Sequence, residues 1–221
     1  MTEIAPLLCA WMLAAMTMNS ASQPRIRIVA MGDSTTAGTP AFRSPVEAPP
    51  DGRGDVTSQY AYWLMQWHPE WEVLNKGVNG ERTDQIRARF ERDVIAEKPA
   101  VVVVIAGVND VYQGRPASHA IEQLRWMYER AGQAGIRVIA GTIIPFNTAT
   151  ADQNARMAEI NAWIRQVATA PAVHVVDTRA AVAAPGKADM LSDTPDRLHP
   201  SPAGYKAMAA AIRPVLERLL R

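Results

Sequence analysis

Apolar residues in this chain recur with two different periods. Five short runs rich in β-branched residues, Ile26–Met31, Trp71–Asn75, Ala100–Ala106, Ile136–Thr142 and Ala172–Asp177, have the composition of strands. The third contains an unbroken Val-Val-Val-Val-Ile core with no polar face, which suits a central strand of a parallel sheet covered on both sides. Between the runs the spacing changes to three and four. Ile86, Phe90 and Val94 follow Thr83, a candidate N-cap, and Met157, Ile160, Ile164 and Val167 follow Asp152. Tyr205, Met208, Ile212, Val215 and Leu219 follow Ser201 and Pro202, which suit an N-cap and a first helical position. Pro214 is expected to kink that last helix, because it removes one backbone hydrogen bond. Strand–helix alternation repeated in this way predicts an α/β fold, a doubly wound parallel sheet covered by helices on both faces. The segment Thr39–Thr57 holds Pro40, Pro45, Pro49, Pro50, Gly52 and Gly54 and reads as one long irregular loop, a frequent place for function.

Composition narrows the class without choosing a function. A chain of 221 residues with net charge +1, 48% hydrophobic and 20% charged residues fits one soluble globular domain and excludes a disordered one. That balance leaves no concentrated basic face for nucleic acid. The single cysteine, Cys9, excludes a disulfide framework or a cysteine-based metal site within one molecule. Ile4–Met18 is an apolar stretch too short for a stable membrane span but long enough for a signal-peptide core, and Ser20-Ala21-Ser22 supplies small residues for cleavage. Residues 1–22 are therefore expected to be a signal peptide and 23–221 a single domain, exported to the periplasm or secreted, with an uncleaved cytoplasmic chain as the alternative. Glu3 departs from the basic start of such peptides.

The candidate chemistry collects where the predicted strands end, the rim at which ligands bind in such sheets. Strand one runs into Gly32-Asp33-Ser34-Thr35-Thr36-Ala37-Gly38. A serine directly after a buried strand sits where a nucleophile would be held, although the same residue types also make ordinary turns. No lysine follows in the pattern of a phosphate-binding loop. Strand two ends in Asn75-Lys76-Gly77-Val78-Asn79-Gly80, either a plain turn or one that aims the Gly80 N–H at developing negative charge. Strand three ends in Gly107-Val108-Asn109-Asp110. There Asn109 either closes a turn or offers its amide to an oxyanion, and Asp110 suits a structural aspartate. Asp196-Arg197-Leu198-His199-Pro200 lies immediately before the last helix. A carboxylate three residues ahead of a histidine can fold back within one turn and fix the imidazole tautomer, freeing the other nitrogen to take a proton from a serine. His68, His119 and His174 show no local carboxylate of that kind.

These four blocks follow strands one, two, three and five in order. On them the chain resembles the SGNH/GDSL hydrolase family, essentially from Arg25 onward. The resemblance implies a three-layer α/β/α sandwich with a flavodoxin-like five-stranded parallel sheet. It implies Ser34 as nucleophile, His199 as general base and Asp196 as its partner, with Ser34, Gly80 and Asn109 forming the oxyanion hole. Thr35 stands where the family's eponymous string has leucine. The α/β-hydrolase fold is excluded, because its Gly-x-Ser-x-Gly turn would need glycine at Thr36.

The implied activity is hydrolysis of carboxylic esters, including thioesters or lysophospholipids, through an acyl-enzyme. Carbohydrate O-deacetylation by the same residues is the alternative, and a non-catalytic sugar- or lipid-binding module is the reading from another class. No cofactor is implied, and no metal-ligand spacing is visible. The expected partner is a small-molecule ester, and oligomeric state leaves no signature in the pattern. Candidate walls of the site are Thr39–Thr57, Val111–Pro116 and Pro145–Thr150, the last with Phe146 as an acyl or alcohol contact. Without a hydrophobic lid, short-to-medium acyl groups are expected.

Overall fold

In the computed structural model of the protein, residues 25–167 and 172–221 are described. The expected signal peptide, 1–22, lies outside them. Among the described residues the β-branched runs form five strands: β1 Ile26–Gly32, β2 Trp71–Gly77, β3 Val101–Ile105, β4 Arg137–Gly141 and β5 Val173–Val176. They pair in the order β2-β1-β3-β4-β5, parallel throughout. This is the flavodoxin-like order, with its switch point between β1 and β3.

Alternation along the strands builds two cores. Val29, Met31, Val102 and Val104 face a layer holding Ile86, Phe90, Leu124, Met127, Ile160 and Ile164. Ile28, Ala30, Val101 and Val103 face the opposite layer, with Tyr60, Leu64, Tyr205, Met208 and Ile212. Fully burying each large apolar side chain contributes roughly 1.5–3 kcal/mol. The helices supplying these layers are α1 Ser34–Ala37, α2 Tyr60–Trp67, α3 Thr83–Ala88, α4 Val108–Tyr112, α5 Ala117–Gln133, α6 Ala151–Gln166, α7 Thr178–Val182 and α8 Pro202–Leu219.

Several local expectations change. At the start of α3 the Gln85 side chain accepts the Arg82 N–H at 3.0 Å, and Thr83 is the first helical residue rather than the cap, its hydroxyl going to Asp110. α6 starts at Ala151, one residue before Asp152, with Thr150 as the cap that accepts the Gln153 N–H. Ser201 does cap α8, and that helix continues past Pro214 to Leu219. The Thr39–Thr57 segment contains a short antiparallel pair, Phe42–Arg43 with Arg53–Gly54. It braces β2: Ser44 Oγ donates to the Gly77 carbonyl at 2.6 Å, and Glu47 Oε1 accepts the Asn79 N–H at 3.1 Å.

Two glycines seat α1 on the sheet edge. Gly32 and Gly77 stand opposite each other at the ends of β1 and β2. A Cβ at Gly32 would lie 2.3 Å from both the Ile105 carbonyl oxygen and Thr36 Oγ1, and one at Gly77 would lie 2.1 Å from the Ala37 nitrogen. Asn75 completes the seat, its Nδ2 donating to the Ala37 carbonyl at 3.2 Å and to Gln59 Oε1 at 2.7 Å.

Candidate active site

Ser34 opens α1, two residues beyond the end of β1. Asp33 caps that turn by accepting the Thr35 N–H at 2.9 Å. Burial pushes the Asp33 carboxyl up to about 7, against the Thr35 hydrogen bond, and the nearby Asp110 and Glu81 carboxylates add to the rise. Ser34 Oγ lies 2.9 Å from His199 Nε2, and His199 Nδ1 lies 2.7 Å from Asp196 Oδ2. Asp196 Oδ1 accepts the backbone N–H groups of Leu198 and His199 at 2.9 and 2.8 Å. The chain folds back this tightly because Arg197 takes a left-handed φ of 68°. Burial opposes ionisation of Asp196, but the His199 ring and those two N–H groups outweigh it and hold the carboxyl below its usual range.

A second group of residues faces the same space. Gly80 has φ +79° and open space where a Cβ would be, so the backbone conformation rather than crowding calls for glycine. Asn109, in the first turn of α4, donates through Nδ2 to the Glu81 carbonyl at 3.0 Å, and Gln113 Nε2 donates to the Gly80 carbonyl at 3.0 Å. Beneath them the buried Asp110 accepts the Thr83 N–H at 2.9 Å and its hydroxyl at 2.7 Å, tying α4 to the start of α3. Burial raises the Asp110 carboxyl, opposed by those two Thr83 bonds. Among the described residues no protein acceptor takes the backbone N–H of Ser34 or of Gly80.

These residues line one cavity of about 240 Å³. Ser34, Gly80, Asn109 and His199 share its polar lining with Thr35, Asn79 and Gln113, and Val108, Tyr112, Phe146 and Leu198 form its apolar lining. Phe146 is 2% exposed, and its ring meets the 53% exposed Tyr112 edge-on with centroids 5.6 Å apart. All the site residues expected from sequence therefore converge. Among the described residues the Thr39–Thr57 loop does not line the cavity; it acts from behind, on Gly77 and Asn79.

Two groupings were hidden in the sequence. His68 does have a local carboxylate: its Nδ1 lies 2.7 Å from Glu70 and its Nε2 3.0 Å from Glu217, so neither nitrogen is left for a hydroxyl. Ligand atoms of Asp84, Asp110 and His119 come within 4.8 Å of one another, although Arg82 already holds Asp84 and Thr83 holds Asp110. Apart from Glu70, two residues from His68, and Arg82 and Thr83, which flank Asp84, these partners meet only on chain folding.

The model of the GDSL-like lipase/acylhydrolase family matches residues 30–207. The chain belongs to that family. It is 29% identical over 187 residues to an acetylxylan esterase from Geobacillus stearothermophilus, covering 74% of this chain and 84% of that one. It is 32% identical over 80 residues to the lipoprotein YqeF of Bacillus subtilis, covering 34% and 33% of the two chains. Its fold superimposes on that of a G-D-S-L family protein from Desulfitobacterium hafniense with a TM-score of 0.71 at 26% identity, covering 87% of this chain and 100% of the other. As a member of this family the protein is a carboxylic ester hydrolase.

Proposed function

We propose that Ser34 is the nucleophile, His199 the general base and Asp196 its orienting partner in a two-step acyl transfer to water. The observation that carries this reading is the unbroken contact series from Asp196 through His199 to Ser34 Oγ, opening on a cavity with free N–H donors. His199 Nε2 takes the hydroxyl proton as Ser34 Oγ attacks the ester carbonyl, then gives that proton to the leaving alcohol. Water, deprotonated by the same nitrogen, attacks the acyl-serine, and Ser34 recovers its proton as the acid departs. In both tetrahedral intermediates the negative oxygen lies among the Ser34 N–H, the Gly80 N–H and the Asn109 amide. Each such donor is typically worth about 10²–10³ in turnover.

A cavity of about 240 Å³ supports small acyl groups. The similarity to an acetylxylan esterase favours a second reading, removal of acetyl groups from a carbohydrate by the same residues. The apolar stretch at 4–18 supports export of a single domain comprising residues 23–221 after loss of a leader. Among the described residues no helix is long and apolar enough to cross a membrane.

Labelling with a fluorophosphonate, followed by peptide mapping, tests the nucleophile; the adduct is expected on Ser34 and absent from Ser34→Ala. A mapped adduct elsewhere, or full turnover in that variant, would overturn the assignment. Comparing kcat/KM across aryl esters of rising chain length, a thioester and an acetylated xylo-oligosaccharide separates the substrate classes. A marked preference for long acyl chains contradicts the small-acyl reading.

A further inference from the structure

Arg89, which ends α3, is 8% exposed although it carries a full positive charge. Its guanidinium serves four oxygens. Nη2 donates to the Gly32 carbonyl at 3.0 Å, and Nη1 donates to the Lys76 carbonyl at 2.7 Å and to Asp93 Oδ2 at 2.9 Å. Nε donates to Glu81 Oε2 at 2.7 Å. Gly32 ends β1, two residues before Ser34, and Lys76 is the penultimate residue of β2. Glu81 follows Gly80, and its own carbonyl is the acceptor for Asn109 Nδ2. One buried side chain thus grips the strand end that presents the serine and the segment that carries the oxyanion donors.

We propose that Arg89 is a positioning residue for the hydrolysis, holding Glu81, and through it Gly80 and Asn109, in register with Ser34. The inference rests on the oxyanion roles given above. A guanidinium suits this task because its five donors lie in one rigid plane, whereas an ammonium is a point charge that cannot serve spread acceptors in fixed geometry. Neutralising Asp93 does not explain the residue, since Arg92 also pairs with Asp93, at 2.7 Å. The Gly32 carbonyl also accepts the Val78 N–H at 3.2 Å, so what Arg89 adds is the tie from that strand end and the Lys76 carbonyl to the Glu81 carboxylate. Arg89 acts through these neighbours and does not itself line the cavity. Misplacing a reacting or stabilising group by about 1 Å can cost on the order of 10²-fold in rate.

The test compares Arg89→Lys, Glu81→Ala, Asn109→Ala and the Glu81→Ala/Asn109→Ala double variant, using an aryl acetate and an arylboronic acid as transition-state mimic. Folding is followed by thermal melting. Glu81→Ala, and Arg89→Lys if it folds, should lose about 10- to 100-fold in kcat with KM changed by no more than about 3-fold. Boronate affinity should fall by the same factor as kcat/KM. With Asn109 already truncated there is less to position, so Glu81→Ala should cost distinctly less in that background. If Arg89→Lys does not fold, Glu81→Ala and the double variant decide. An impaired Asn109→Ala beside normal kcat in Glu81→Ala, or strictly additive losses in the double variant, overturns the positioning role alone. Full turnover in Asn109→Ala overturns the oxyanion assignment and this inference with it.

Discussion

Asp196 and His199 are joined twice: one carboxylate oxygen accepts the histidine backbone N–H at 2.8 Å, and the other meets ring Nδ1 at 2.7 Å. The acid therefore fixes both where the ring stands and which nitrogen faces Ser34. Asp196→Asn keeps an oxygen for the backbone while presenting the wrong partner to the ring. Its turnover should fall by about 10⁴, as expected for a wrongly oriented tautomer, with little change in KM. Ser34→Ala should lose about 10⁶ in kcat while melting within a few degrees of the parent. Steady-state kinetics paired with melting curves check both.

Removing the amide donor is a milder lesion. Asn109→Ala should lower kcat by about 10²–10³ and leave the fold intact, because Asp110, not Asn109, ties α4 to α3. Circular dichroism alongside kinetics distinguishes this from simple unfolding. Asp110→Asn should show the reverse emphasis, with the larger loss in melting temperature.

The two aspartates beside Ser34 and His199 give pH dependences of opposite sign. Asp196 is held below the usual carboxylate range, so the stability it contributes is complete above about pH 4 and is lost as pH falls through its lower folded value. Asp33 is pushed up to about 7 by burial. Between about 4 and 7 the folded protein then binds more protons there than the unfolded chain does, so stability declines as pH climbs through that window. Asp33→Asn should accordingly gain on the parent between pH 5 and pH 8 in urea-unfolding midpoints. An equal gap at the two pH values would count against a raised Asp33.

The cavity's apolar side separates packing from selection. Phe146→Ala should cost about 3–5 kcal/mol, as truncation of a buried aromatic does, and should shift ester preference toward longer acyl chains. Tyr112→Ala, at a half-exposed rim position, should change stability by no more than about 0.5 kcal/mol while altering KM. Chemical denaturation and an ester chain-length series read out the two effects.

Strands and the blocks that meet at the cavity were legible because their signals are local. β-branched runs mark strands, Ser201-Pro202 marks a helix start, and an aspartate three residues ahead of a histidine can close one turn. Four features were not legible, for a common reason. Thr83 gives its hydroxyl to Asp110, Glu47 in the proline-rich loop reaches Asn79, His68 meets Glu217 from α8, and Arg89 reaches back to Gly32. In each case the partner is remote along the chain, and propensity carries no information about it.

The facing glycines at the ends of β1 and β2 bear on how this scaffold can diverge. Neither position has room for even a methyl group, so the platform beneath Ser34 is closed to gradual substitution. Tyr112 and the neighbouring Gln113 border the same cavity from an exposed helix end, where side chains of many sizes can be exchanged at little cost. Descendants of this protein would be expected to acquire new ester preferences along that outer border, while the seat of the serine is inherited unchanged.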